Sequence, residues 1–325
     1  MKRRQVLIAA GAFAVIDSSV LAQKPVAIPR IGLLWIESGS DSTVRSAFRE
    51  GLRAQGYVDG KNIQIDAQSL VDRYDRLPEA AARLVNQKVD VIVSYGSTAT
   101  LAASKATSTI PIVVVMGNDP VKMGVVASLS KPGGNVTGVT FISRELNGKR
   151  LEILKEVVPR IRRIGVLFNP ASASEATSVI TWEAAARTLN IEVQRVEIRV
   201  QNEIDSVIAD VPRQRVGALA VLSSTMFVAN RKQIVTAIAK TRLPAIYGST
   251  DDADAGGLVS YGPNVSDGFH RAAGYVDKIL KGAQPANLPF EQSTKFELAV
   301  NLKTAKALGI AIPQSILLRA DKVIQ

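Results

Sequence analysis

The chain carries one structural pattern twice. From Arg30 runs Ile31-Gly32-Leu33-Leu34-Trp35, and from Arg163, an offset of 133 residues, runs Ile164-Gly165-Val166-Leu167-Phe168. Pro111 and Pro244 stand at the same offset, each opening another short apolar run, Ile112 to Val115 and Ala245 to Tyr247. Between them, Val91-Ile92-Val93 followed by Ser97-Thr98 mirrors Leu219-Ala220-Val221 followed by Ser224-Thr225. Continuous apolar runs this short, bounded by polar residues, mark strands buried on both faces of a parallel sheet. One matching pair could arise by chance; four features recurring in order are a duplication. Helical periodicity fills the gaps, with Val44, Phe48 and Leu52 on one face and Val179, Trp182, Ala186 and Leu189 on its counterpart. Strands alternating with amphipathic helices wind into right-handed βαβ units. The expected fold is therefore α/β, with two similar doubly wound parallel-sheet lobes, and a length of 325 residues suits two cores better than one.

The turn cluster Lys131-Pro132-Gly133-Gly134-Asn135 and the extended Val136 to Phe141 lead out of the first lobe. Gly256-Gly257 before Leu258 to Tyr261 marks a second crossing, and the stripe Phe269, Ala272, Val276, Leu280 marks a helix returning to the first lobe. This assigns residues 28–140 plus about 263–283 to lobe one, and 141–262 plus about 284–325 to lobe two, joined by a multi-crossing hinge. Residues 1–22 read as a signal peptide: Lys2-Arg3-Arg4, an apolar stretch from Val6 to Val15, and Val20-Leu21-Ala22 at the cleavage site. The apolar stretch is too short to span a bilayer. Arg3-Arg4-Gln5-Val6-Leu7 resembles a twin-arginine export signal, and the general secretory route fits equally. The mature chain is expected in the periplasm.

Composition excludes several chemistries. There is no cysteine, hence no disulfide, thiolate metal site, thiol nucleophile or lipidated cysteine anchor. His270 is the only histidine, so multi-histidine zinc sites are excluded and a Ser-His-Asp triad has a single candidate base, distant in sequence from the serines. No phosphate-cradling glycine motif is present. The expectation is no cofactor, no metal and no catalysis. The formal charge of +11 includes +2 from the leader, and the remaining basic residues are scattered among acidic neighbours, the pattern of a solvated surface and not of a nucleic-acid interface.

Ligands of open parallel sheets bind beyond the carboxyl ends of the strands. The loops there hold Trp35 and Ser38 after the first strand, Ser97 and Thr98, then Asp119; in the second copy they hold Asn169, then Ser224 and Thr225, then Ser249. A helix opening at Gly96-Ser97-Thr98 offers free N–H groups, hydroxyls and the positive end of the helix dipole to an anion such as a carboxylate. The competing role is plain N-terminal capping. Recurrence at Ser224-Thr225 favours a shared cleft. Asp119 would pair with a ligand amine or hydroxyl, or else cap a helix expected over Val121 to Leu129. Trp35 would stack on a ligand, or else pack in the core. The acidic group Asp251, Asp252 and Asp254 reads as a solvated loop.

Several phrases resemble the ABC transporter substrate-binding proteins related to binders of tryptophan and tyrosine. They include Phe48-Arg49-Glu50-Gly51-Leu52 through Gly56-Tyr57 and Gly60-Lys61-Asn62, then Asp119-Pro120-Val121 and Lys131 to Gly138. Later ones are Gly256-Gly257-Leu258 with Ser260-Tyr261-Gly262, and Phe296-Glu297-Leu298 leading to Asn301-Leu302-Lys303-Thr304-Ala305. The resemblance spans nearly the whole mature chain. It implies a type I periplasmic-binding fold and capture of a small organic ligand, an amino acid or carboxylate, by hinge closure of the lobes. It also implies delivery to an inner-membrane ABC permease by a monomeric protein. By this similarity the ligand loops are those at Ser97-Thr98, Asp119, Asn169, Ser224-Thr225 and Ser249. A periplasmic sensor that passes its closed state to a signalling partner fits the same residues.

Overall fold

The computed structural model describes residues 28–36, 43–70, 74–142, 146–293 and 295–325. The proposed leader, residues 1–22, and Ser38 lie outside them.

The first copy of the pattern forms strands β1 (Arg30–Ile36), β2 (Gln64–Leu70), β3 (Val91–Tyr95), β4 (Ile112–Met116) and β5 (Val136–Thr140), with helices α1 (Thr43–Ala54), α2 (Leu77–Asn86) and α3 (Ser97–Ala106) between them. The second copy begins with α4 (Asn147–Val157). It continues through β6 (Arg163–Phe168), α5 (Ala173–Thr188), β7 (Glu192–Glu197), α6 (Ile204–Asp210), β8 (Ala218–Val221), α7 (Thr225–Ala229), α8 (Arg231–Thr241), β9 (Ala245–Tyr247), α9 (Thr250–Asp254) and β10 (Val259–Pro263). After it come α10 (Val265–Leu280), β11 (Glu291–Gln292), β12 (Phe296–Asn301), α11 (Leu302–Leu308), α12 (Gln314–Leu317) and β13 (Lys322–Ile324).

Among the described residues these strands make two sheets, ordered β2-β1-β3-β4-β5-β11 and β7-β6-β8-β9-β10-β12-β13. The first is parallel throughout; in the second, β12 runs antiparallel to β10. Within each copy the order reduces to 2-1-3-4-5, the doubly wound arrangement the sequence predicts. Alternate residues of each strand feed the cores on the two faces. Ile31, Leu33, Val91 and Val113 join α1 and α10, whereas Leu34, Ile92 and Val114 join α2 and α3. The duplicated glycines have a packing reason: a Cβ on Gly32 would stand 2.8 Å from Leu84 Cδ2, and one on Gly165 2.7 Å from Leu219 Cδ2. In both lobes the first strand of the repeat gives up a side chain to make room for a leucine.

The helix α10 returns to the first lobe as its stripe predicts, burying Phe269, Ala272 and Val276 against α1. The C-terminal segment departs from expectation. The sequence pattern places residues from about 284 onward in the second lobe, yet β11 pairs with Val139 and Thr140, and Phe290 N–H donates to the Leu129 carbonyl at 2.7 Å. The cause is Phe290, 6% exposed in the first lobe's core, a lone aromatic in a loop with no periodicity to announce it. The strands β12 and β13 complete the second sheet. The chain therefore passes between lobes after β5, after β10 and after β11. A second departure is local: residues 121–129 form turns, not a helix, because Gly124 takes a left-handed φ of 69° and ends the first turn.

Candidate functional site

In a 2-1-3-4-5 sheet the chain winds in opposite directions from the first strand, leaving a crevice at the carboxyl ends of the first and third strands. The two lobes place this crevice at β1/β3 and at β6/β8. Most residues predicted for binding border these two points.

In the first lobe Gly96 holds a φ of 80°, which a side chain would oppose, and turns the chain directly from β3 into α3. Ser97 opens the helix and its Oγ accepts from Asn118 Nδ2; Thr98 beside it is exposed. Beneath them the Ser94 and Thr100 hydroxyls bond each other at 3.0 Å in full burial, tying strand to helix. Trp35 is only 2% exposed and packs edge-on against Phe269 at 5.6 Å, so its ring belongs to the core. Tyr95, half-buried at the end of β3, packs on the other side of Phe269 at 5.3 Å. Asp119 is engaged locally: Oδ1 accepts from Val121 N–H at 2.9 Å and Lys122 N–H at 3.3 Å, and Lys122 Nζ lies 3.8 Å from Oδ2.

In the second lobe Asn169, Ser224 and Ser249 all border strand ends, and Thr225 is the first residue of α7. Asn169 Oδ1 accepts from Ala171 N–H at 2.9 Å, and Ser224 Oγ caps α7 by accepting from Phe227 N–H at 3.2 Å. Ser249 forms a capping box with Asp252 at the start of α9. At these serines capping and a place in the cleft coincide.

Sequence reasoning misses three further polar residues at the cleft, Glu175, Arg231 and Arg150. Glu175, 8% exposed in the first turn of α5, accepts from Asn169 N–H at 2.7 Å, and its N–H donates to Ser172 Oγ at 3.4 Å. Burial pushes its carboxyl up to about 7 despite the Asn169 donor. Arg231 lies 2.7 Å from Asp252 and 3.3 Å from Asp251; burial opposes its charge, and the two carboxylates outweigh burial and raise its pKa. Tyr95, from the first lobe, lies in the field of these three groups, its phenol pushed up to about 12 by burial above all. Ala229, two residues before Arg231, packs against the first lobe's core. The α7–α8 corner thus meets the first lobe across the cleft. Finally, Arg150 of α4, 5% exposed, donates to the Tyr261 carbonyl at 2.7 Å and to Asn147 Oδ1 at 3.0 Å beside Gly248 and Gly262. Burial lowers its guanidinium to about 10. A buried arginine leaves no mark in periodicity, whereas Ser172-x-x-Glu175 is legible as a helix start.

His270 stands on the outer face of α10, 3.8 Å from Glu50 and remote from this cleft. Asp254 pairs with Lys322 at 2.8 Å, and no acidic or histidine group able to hold a metal occurs among the described residues.

Two doubly wound lobes, crossed more than once by the chain and lined with polar loops at facing switch points, define a two-lobed binding protein of the type I periplasmic class. The particular family follows from the match of residues 32–324 to the model of the ABC transporter substrate binding proteins, and the chain belongs to that family. It is 27% identical over 289 residues to the tyrosine-binding protein of Clostridioides difficile, covering 89% of this chain and 81% of the relative. A conserved domain protein from Vibrio cholerae superposes with a TM-score of 0.83 at 25% identity, over 91% of this chain and 99% of the other. A Streptococcus pneumonia protein solved in complex with L-Trp superposes at 0.81 with 26% identity, over the same shares of 91% and 99%. The chain is a binding protein and not an enzyme. No helix among the described residues is long and apolar enough to cross a membrane.

Proposed function

We propose that this protein is the solute-capturing component of an ABC importer, exported to the periplasm, and that it closes two lobes on an amino acid and presents the closed form to an inner-membrane permease. The observation that carries this reading is the pair of switch-point crevices, each opening a helix beside a serine hydroxyl, at Ser97 and at Ser224. The free N–H groups of such helix starts suit a ligand carboxylate. Ligand type is drawn from the relatives, one named for tyrosine and one solved with L-Trp. The lobes move about the crossings after β5, β10 and β11, and ligand shifts the population toward the closed arrangement in which Ala229 packs against the first lobe.

The test is a thermal-shift screen of residues 23–325 against amino acids, aromatic acids, short carboxylates and sugars, followed by small-angle scattering with each hit. A ligand at about 100 times its Kd adds roughly 2.7 kcal/mol of stability. Stabilisation by amino acids with a smaller radius of gyration is expected; stabilisation only by sugars, or binding without compaction, refutes the reading.

A further inference from the structure

Basic residues scattered along the sequence are gathered by the fold at one pole of the second lobe. The chain enters the parallel strands β6, β7, β8 and β9 side by side at their amino-terminal ends. There Glu192 N–H donates to the Arg162 carbonyl at 2.8 Å, Gly217 N–H to the Arg163 carbonyl at 2.8 Å and Leu219 N–H to the Pro244 carbonyl at 2.9 Å. The loops leading in, with the helix ends before them, present Arg160, Arg162, Arg187, Arg215, Lys240 and Arg242. All are exposed, and none lies within ion-pair range of a carboxylate among the described residues. The acids beside them, Glu192 and Asp210, are held by Arg163 at 3.2 Å and Arg213 at 3.1 Å. With strands about 4.8 Å apart, these four strand starts make a cationic edge about 14 Å wide.

The architecture does not demand this charge. The first lobe repeats the frame, and its matching pole carries Asp59, Asp66 and Asp90 beside Lys61 and Lys88. Local turns do not demand it either: Arg215 and Arg242 hold φ values of 57° and 56°, a left-handed conformation that glycine takes without strain. Both side chains are exposed, so packing does not offset that strain. We propose that this pole adsorbs the protein to an anionic phospholipid surface. All of the six but Lys240 are arginines, whose planar fork holds a phosphate by two parallel hydrogen bonds. A bilayer presents phosphates as a plane, which suits cations spread over adjacent loops, and no aromatic residue in these loops offers nucleic-acid bases a stacking platform. The proposal goes beyond the importer reading and is independent of which solute the cleft takes. The pole lies at the opposite ends of the strands from the β6/β8 crevice, so adsorption leaves the cleft open.

The experiment is co-sedimentation of residues 23–325, which include every described residue, with vesicles of phosphatidylcholine alone or of equal parts phosphatidylcholine and phosphatidylglycerol. Wild type is expected to bind the mixed vesicles at least tenfold more strongly at low salt and to lose the difference in molar salt, because mobile ions screen exposed charges. Arg162→Gln, Arg215→Asn and Arg242→Asn combined should weaken binding at least tenfold. A control removing as many exposed charges from the first lobe, Lys61→Gln, Lys88→Asn and Lys105→Gln, should bind nearly as wild type. Should the first triple variant not fold, Arg160→Gln, Arg187→Gln and Lys240→Gln, which touch no left-handed residue, take its place. Equal losses in the pole and control variants would trace binding to net charge and overturn the proposal, as would equal binding to both kinds of vesicle. Binding to a DNA duplex with none to the mixed vesicles would overturn it as well. Failure of the solute screen leaves every one of these outcomes readable.

Discussion

Phe269 is the residue whose loss should separate the behaviour of the two lobes. It is fully buried and meets Trp35 at 5.6 Å, Tyr95 at 5.3 Å and Phe48 at 6.5 Å, all edge-on. Its ring is therefore the joint between α10, α1 and the ends of β1 and β3. Truncating a buried phenylalanine to alanine costs about 3–5 kcal/mol, the transfer term plus the cavity left behind. At roughly 2–4 °C per kcal/mol for a unit of this size, Phe269→Ala should lower the first lobe's melting temperature by about 6–20 °C. The protein carries its own reporters, because its two tryptophans, Trp35 and Trp182, sit in the cores of different lobes. Trp182→Phe is a mild background change, since the buried indole N–H of Trp182 has no acceptor among the described residues. Fluorescence melts of Phe269→Ala in the Trp182→Phe background follow the first lobe, and those in a Trp35→Phe background follow the second. The expected result is a large drop in the first and a small one in the second. A drop below about 1 kcal/mol in the first lobe would refute the packing argument, and equal drops in both would refute the separateness of the two cores.

Two further outcomes follow from the same structure. A Cβ on Gly262 would sit 1.7 Å from the Gly248 carbonyl oxygen and 3.4 Å from Arg150 Nη2, so Gly262→Ala must force the ends of β9 and β10 apart. It should cost about 1–3 kcal/mol or more, read as a lower melting temperature in the Trp182 signal, with Trp35 unaffected. Glu175 gives the unliganded protein a pH dependence. Its folded pKa, about 7, lies above the ordinary 4.5, so the folded state keeps a proton that the unfolded chain has lost. Stability should fall as pH rises from about 4.5 to about 7 and level off above, by roughly 3 kcal/mol at most, and Glu175→Gln should flatten that slope in denaturant titrations.

The sheets were legible because their information is local and repeated. Ile31 to Trp35 and Ile164 to Phe168 are strands wherever they occur, and their recurrence gives the second lobe from the first. Serines that open helices were legible for the same reason. Pairings set by tertiary contact were not: Phe290 fixes β11 on the first sheet through one buried ring. Asp119 shows the limit of reading a polar residue by type, since its carboxylate satisfies its own turn. Glu175 shows the converse. Its spacing from Ser172 signals only a helix start, and only the fold brings its carboxylate to the Asn169 N–H at the end of β6.

The crossings also fix an order of events during synthesis. The first lobe lacks its central aromatic and an edge strand until residue 292 has emerged, well after the second lobe's first five strands. The second in turn waits for β12 and β13. Neither lobe is a contiguous stretch of chain, so a fragment ending at Thr140 leaves the sheet face that α1 and α10 share covered by α1 alone. A nascent chain of this design completes neither lobe until residues 291–292 and 296–324 have been made, which makes cutting the gene between the lobes a poor way to obtain either one.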